Sequence, residues 1–219
     1  RDRMLVMGGN TGSAKLNDVW ELSLSGAPAW NQLAPSGTAP AVRGGHAGIY
    51  DPVGDRVVIF GGSNLSTRYN DVWSLALSGS PAWSNLTPLG TPPSGRWVHG
   101  ASYDAGGHNL IVFGGYDGTN YLGDAWQLAL DGTPAWTLLA VSGSSPTGRW
   151  GMPCVYDPAR QRMVLFGGAT TVGDADDVWT LSLGAGPQWD SQLGVSSHAT
   201  WRYEFPSVYD AAGRRMIVF

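Results

Sequence analysis

The chain has 219 residues, 13 basic and 17 acidic side chains, a formal net charge of −4 and only 14% charged residues, against about a quarter in an average soluble domain. No apolar run approaches the ~18 residues of a membrane-spanning helix. No Lys/Arg cluster marks a nucleic-acid footprint, and the single cysteine, Cys154, excludes an internal disulfide framework and a Cys-based zinc site.

Taken in chain order, the sequence repeats every 53 residues without insertion or deletion. Glycine pairs stand at Gly8-Gly9, Gly61-Gly62, Gly114-Gly115 and Gly167-Gly168. Two Trp columns keep the same spacing, Trp20, Trp73, Trp126 and Trp179, then Trp30, Trp83, Trp136 and Trp189. So do Arg43, Arg96, Arg149 and Arg202, and Asp51, Asp104, Asp157 and Asp210. The units run 1–42 (partial), 43–95, 96–148, 149–201 and 202–219 (partial), in one region without a linker.

Within the unit 43–95, residues 46–51 (HAGIYD) predict a first strand that ends in a turn opened by Asp51. Residues 56–60 (RVVIF) predict a strand buried on both faces, stopped by Gly61-Gly62. Residues 71–77 (DVWSLAL) alternate, and Ser78-Gly79-Ser80-Pro81 turns the chain into a fourth strand, 82–86. No segment carries helical periodicity. The expected strand order is second-third-fourth, three complete sets of four, then first-second. Four short antiparallel strands in each repeat predict an all-β propeller of four-stranded blades.

The pattern R-x-x-H, YD, hydrophobics-FGG, NDVW-x-L-x-L and a final W resembles the kelch repeat, of the kind found in the central domain of galactose oxidase-like proteins, over the whole chain. A kelch resemblance implies a ring of six or seven blades, so the chain, which begins at Arg1 without Met and stops in mid-pattern at Phe219, reads as a segment of a longer propeller. A two-chain ring completed by self-association is the alternative.

The Trp columns predict packing between blades, since a buried indole removes roughly 150–250 Å2 from water. Asp18, Asp71, Asp124 and Asp177, each two residues before a Trp, are expected to bond local backbone N–H groups, and Asp51, Asp104, Asp157 and Asp210 to hold turns. Strand direction places the fourth-to-first and second-to-third connections on one rim. There the copies differ: Arg43-Gly44-Gly45-His46, Arg96-Trp97-Val98-His99, Arg149-Trp150-Gly151-Met152 and Arg202-Tyr203-Glu204-Phe205. The second-to-third connections add Asn64, Arg68 and Tyr69, then Tyr116, Asp117 and Tyr121, then Asp174 and Asp176.

The candidate binding residues are Arg43, His46, Arg96, Trp97, His99, Arg149, Trp150, Arg202, Tyr203, Tyr69, Tyr116 and Tyr121. Guanidinium forks and ring faces suit carboxylates, sugars or peptide side chains. An Arg present in every unit equally suits bonds to a neighbouring blade. Kelch proteins bind partners through this face, which the resemblance extends to the present rim.

No catalytic, metal or cofactor set stands out. Galactose oxidase-like copper enzymes need a Cys cross-linked to Tyr and two His, whereas Cys154 aligns with Gly48, Ala101 and Ser207 as a small strand residue. Nitrile-specifier-like proteins need an iron-holding Glu, Asp and His set, and neither Glu21 nor Glu204 begins one. Sialic-acid epimerase-like chemistry would need an acid–base pair that is not evident. The reading is a non-catalytic module for a protein or glycan ligand. A structural element of a larger extracellular assembly is the alternative, and a segment of a carbohydrate oxidase or sugar epimerase a further one. Low charge, abundant Gly, Ser and Trp, and one Lys (Lys15) against many Arg suggest a secreted or surface-attached bacterial protein.

Overall fold

The computed structural model describes residues 2–184, 186–191, 200 and 203–219. All of its regular structure is antiparallel β, and there is no helix among the described residues. The first sheet contains β1 (Arg3–Asn10), β2 (Lys15–Ser23) and β3 (Ala29–Leu33). The second contains β4 (Ala47–Asp51), β5 (Arg56–Phe60), β6 (Val72–Ala76) and β7 (Ala82–Leu86). The third repeats it with β8 (Gly100–Asp104), β9 (Asn109–Phe113), β10 (Ala125–Ala129) and β11 (Ala135–Leu138).

The fourth sheet adds a short β12 (Arg149–Trp150) ahead of β13 (Cys154–Asp157), β14 (Arg162–Thr170), β15 (Gly173–Ser182) and β16 (Gln188–Ser191). A hairpin of β17 (Ser207–Asp210) and β18 (Arg215–Val218) ends the chain. Each complete blade is a meander of neighbouring strands, and the expected strand order is observed. The innermost strands β4, β8, β13 and β17 lie beside one another in sequence order.

The buried layers lie between blades. One buried layer joins Ile49, Val58, Phe60 and Val72 of the second unit to Leu110, Val112, Leu128 and Trp136 of the third. The next joins Ile111 and Phe113 to Met163, Leu165, Leu181 and Trp189. Before both, Val19 and the partly buried Leu5, Met7 and Leu33 meet Val57, Ile59, Leu75 and Trp83. The connection leaving one blade runs along the outer strand of the next: Trp83, Trp136 and Trp189 donate backbone N–H to Ser36, Leu89 and Ser142. Trp30 is 51% exposed and, like the half-buried Trp20, stands outside these layers, a departure from the expected Trp packing.

The double glycines combine positive φ with close backbone approach. Gly61 and Gly62 have φ of 68° and 88°, a region that L side chains rarely enter. A Cβ on Gly61 would stand 2.7 Å from the Arg96 carbonyl oxygen, and one on Gly62 would stand 2.8 Å from the His46 Cβ. The Gly62 N–H donates to that Arg96 carbonyl at 2.8 Å, so the second strand of one blade is tied to the entry of the next.

On the far rim the Asp51 carboxylate accepts from the N–H groups of Val53 and Gly54, the expected turn role. It also reaches the neighbouring blade, where His108 Nε2 lies 2.9 Å away and His108 Nδ1 bonds Asp131. The Asp157 turn is linked differently, by the Tyr209 hydroxyl donating to Asp157 at 2.8 Å. Asp51 is fully buried and bonded to Arg56. Burial opposes its ionisation, but bonds from Gly54, Arg56 and His108 hold its carboxyl below the usual range. For His108, burial works against the cation, and the bonds to Asp131 and Asp51 outweigh it, raising its pKa above the ordinary value.

A raised folded-state pKa contributes stability that is complete below the unfolded value of about 6.5 and is lost as pH climbs through the folded one. Thermal melts of the native chain and His108→Gln at about pH 6 and about pH 8.5 should therefore converge at the higher pH. Gln already occupies this turn position at Gln161, with φ of 48°. An unchanged gap between the two proteins across that range would show that protonated His108 does not stabilise this junction between blades.

Candidate functional site

The three described arginines of the Arg column are buried rather than displayed on the rim. Arg43, Arg96 and Arg149 are at most 1% exposed. Arg43 donates through both terminal nitrogens to Asp71, at 2.6 and 2.8 Å, and to the Gly61 carbonyl at 2.9 Å. Arg96 repeats this with Asp124 at 2.7 and 2.9 Å, and Arg149 pairs with Asp177. Each carboxylate also accepts the indole N–H two residues on, as Asp71 does from Trp73 at 2.7 Å. Burial disfavours the ionised Asp71, Asp124 and Asp177, but the Arg and Trp donors hold all three below the usual carboxylate range.

Both expectations for these columns are corrected. The arginines are saturated inside the blade, and the Asp carboxylates bond side chains of their own unit more than local backbone. One carboxylate and two carbonyls take four of the five donors of the planar fork, and in Arg96 and Arg149 the fifth goes to the hydroxyl of Ser94 or Thr147. Arg202 lies outside the described residues.

The histidines are enclosed rather than displayed as charged donors. His99 is 6% exposed, has no hydrogen-bond partner on either ring nitrogen and meets the Phe60 ring edge-on at 5.2 Å. Burial, with the nearby Arg96 charge, depresses its pKa to about 3. His46 is depressed to about 4 by burial and Arg43. Their column continues as Met152 and Phe205, and Phe205 packs on Phe166 at 5.8 Å. The position is an apolar plug between blades that happens to be His twice. Cys154 is packed against Gly100, and burial pushes its thiol to about 12.

The aromatic candidates, in contrast, come together. Bridges Trp97–Tyr116–Tyr121, and in the next unit Trp150–Ala169 and Ala169–Asp174, place the two kinds of rim connection side by side as small extensions of the blades. Ring centroids follow at 6.3 Å from Trp97 to Tyr116, 5.5 Å to Tyr121, 6.3 Å to Trp150 and 5.2 Å to Tyr203. Five rings from three units thus form one ladder. Four are half-buried, and Tyr203 is 44% exposed. The indole N–H groups of Trp97 and Trp150 are buried and have no acceptor among the described residues. Tyr69 stands apart, its ring 4.1 Å from the Arg43 guanidinium and its hydroxyl bonded to Asn64.

A second feature lies toward the axis. Gly45, Val98, Gly151 and Glu204 share one column, and all have positive φ: 65°, 46°, 70° and 53°. Their backbones form a chain from blade to blade, Val98 N–H to Gly45 O at 2.7 Å, Gly151 N–H to Val98 O at 2.8 Å and Glu204 N–H to Gly151 O at 2.7 Å. A β-branched residue in this region is an outlier of about 1–3 kcal/mol, of the sort that gathers at binding sites. Beside the chain opens a cleft of ≈310 Å3 lined by Val98, His99, Gly151, Met152, Pro153, Glu204 and Phe205. Sequence reasoning omitted Glu204; its signal was a charged residue where two units have Gly. A different cavity of ≈470 Å3 lies between β1 and the second blade, lined by Leu5, Met7, His46, Ile49 and Tyr50 among others.

Among known proteins, a family model described as the Attractin/LZTR1 beta-propeller matches residues 4–185. The chain belongs to this family. The kelch-type propeller reading therefore stands, while nothing in the match bears on its galactose oxidase-like part. The chain is 31% identical over 177 residues to a leucine-zipper-like transcriptional regulator 1 homolog of Drosophila melanogaster, covering 77% of this chain and 17% of that protein. It is 31% identical over 218 residues to the serine/threonine-protein phosphatase BSL2 of Arabidopsis thaliana, covering 96% and 21%. It is also 31% identical over 156 residues to Adagio-like protein 3 of rice, covering 70% and 24%. The Attractin/LZTR1-type segment thus spans about a fifth of these relatives. They come from an insect and plants and lend no support to a bacterial source.

Proposed function

We propose that the chain is a non-catalytic protein-interaction module that binds a partner polypeptide through the rim carrying Trp97, Tyr116, Tyr121, Trp150 and Tyr203. The ring ladder carries this reading. These rings are absent from the equivalent positions of the unit 43–95, which has Gly44, Ser63 and Arg68, and so are not needed to build a blade. Relatives named as a transcriptional regulator, a phosphatase and an Adagio-like protein share this segment under different names, which favours a common binding part over any one named activity.

The test is selection of peptides from a random phage-displayed library on the native chain, followed by binding to the variant Trp97→Ala/Trp150→Ala/Tyr203→Ala. Selected peptides should bind the variant at least about tenfold more weakly, a loss near 1.4 kcal/mol. They should protect amides in 97–98, 116–121, 150–151 and 203–204 from exchange, and near-native circular dichroism should show the variant folded. Peptides that protect only the opposite rim, or a glycan array that yields binders where the peptide library yields none, overturn the reading.

A further inference from the structure

With Arg96 and Arg149 turned inward, the end of the rim at Trp150 and Tyr203 differs in charge from the end where Arg68 is exposed beside Gly118. Near Trp150 and Tyr203, Asp174 and Glu204 are exposed carboxylates. Among the described residues of these loops, Arg149 is the one cation, and it is buried and paired with Asp177. Burial keeps His99, which lines the cleft, neutral. Glu204 is then the cleft's charged group, and Val98, Met152, Pro153 and Phe205 supply apolar wall.

We propose that this cleft receives an arginine or lysine side chain of the partner polypeptide, its methylene stem along Val98, Met152, Pro153 and Phe205 and its cationic head at Glu204. The proposal rests on the rim being the interaction face. Long basic side chains divide in this way, apolar stem and charged head. The rings of Trp150 and Tyr203, 5.2 Å apart, offer π faces beside the carboxylate for further basic residues. Asp174 shares the Trp150–Ala169 edge and extends the negative potential along the ladder. Glu204 is held for this role by backbone, since its N–H is fixed to Gly151 O at 2.7 Å and its neighbours lie against Gly151, where a Cβ would meet Tyr203 Cβ at 3.1 Å. A partner rich in carboxylates finds no free cation at this end of the rim among the described residues.

The experiment measures fluorescence anisotropy of labelled hexa-arginine, hexaproline and hexaglutamate peptides with the native chain, Glu204→Gln and Asp2→Asn. Asp2 belongs to the opposite rim, so Asp2→Asn removes the same charge from the protein without touching the cleft. Hexa-arginine should bind, Glu204→Gln should weaken it about tenfold, as expected for one charge-assisted bond, and Asp2→Asn should leave it unchanged. Equal weakening by both variants would reduce the effect to net charge and overturn the proposal. So would an inert Glu204→Gln, or tighter binding of hexaproline or hexaglutamate. If phage-selected peptides map to the ladder while Glu204→Gln has no effect, the cationic pocket falls and the interaction rim stands.

Discussion

Arg96→Met should lower the unfolding free energy by about 3 kcal/mol, read from urea denaturation followed by tryptophan fluorescence. Removing one partner of a buried ion pair costs about 3–5 kcal/mol because the other charge stays behind. The low end applies because the Asp124 side chain keeps 32% of its exposure and can recover some water. Asp124 would retain the Trp126 indole donor, and the Gly114 carbonyl would lose its guanidinium. Arg96→Lys should not rescue, since a single ammonium cannot reach both carboxylate oxygens and the carbonyl with the geometry of a fork. Arg96→Met/Asp124→Leu should recover part of the loss, as replacing both members of such a pair often does. A loss below about 1 kcal/mol for Arg96→Met would mean that the pair is solvated in solution, and would return Arg96 to the list of ligand-binding candidates.

The fold could be read because the repeat is exact in length. The runs 56–60 and 82–86 are strands at the predicted positions, and 71–77 is shortened by one residue at each end. The Arg column was harder. Its partner lies 28 residues on, at Asp71, Asp124 and Asp177, and no local rule of turns or caps links positions that far apart. The available signal was that both columns are complete in every whole unit, which is what mutual dependence produces and what a ligand site, needed once, does not. The converse signal marked the rings, because Gly44, Trp97, Trp150 and Tyr203 break the repeat at one position. The backbone chain through Val98 had no sequence signature. Gly45 and Gly151 hint at positive φ, but Val is the residue least expected to adopt it.

The second large effect concerns the layer between blades. Trp136→Ala should cost about 3–5 kcal/mol, the range for deleting a buried Trp or Phe. Trp136 is 5% exposed, meets Phe60 of the preceding unit at 4.9 Å and Trp126 edge-on at 6.4 Å, and its own strand is tied to Leu89 through its backbone N–H. Its indole N–H has no acceptor, so the effect is packing with no hydrogen bond to lose. Trp30 occupies the same column in the first unit but is 51% exposed, and Trp30→Ala should cost no more than about 1 kcal/mol. The pair separates two origins of stability in one position. If the indole mainly stabilises its own sheet, the two substitutions should cost alike, because both residues sit in equivalent pairs, Leu22 with Trp30 and Leu128 with Trp136. If it stabilises the contact between blades, only the covered one matters. A Trp136→Ala loss equal to that of Trp30→Ala would place the stability inside the individual sheet, and the ring ladder, which depends on successive blades holding their spacing, would then need another source of rigidity.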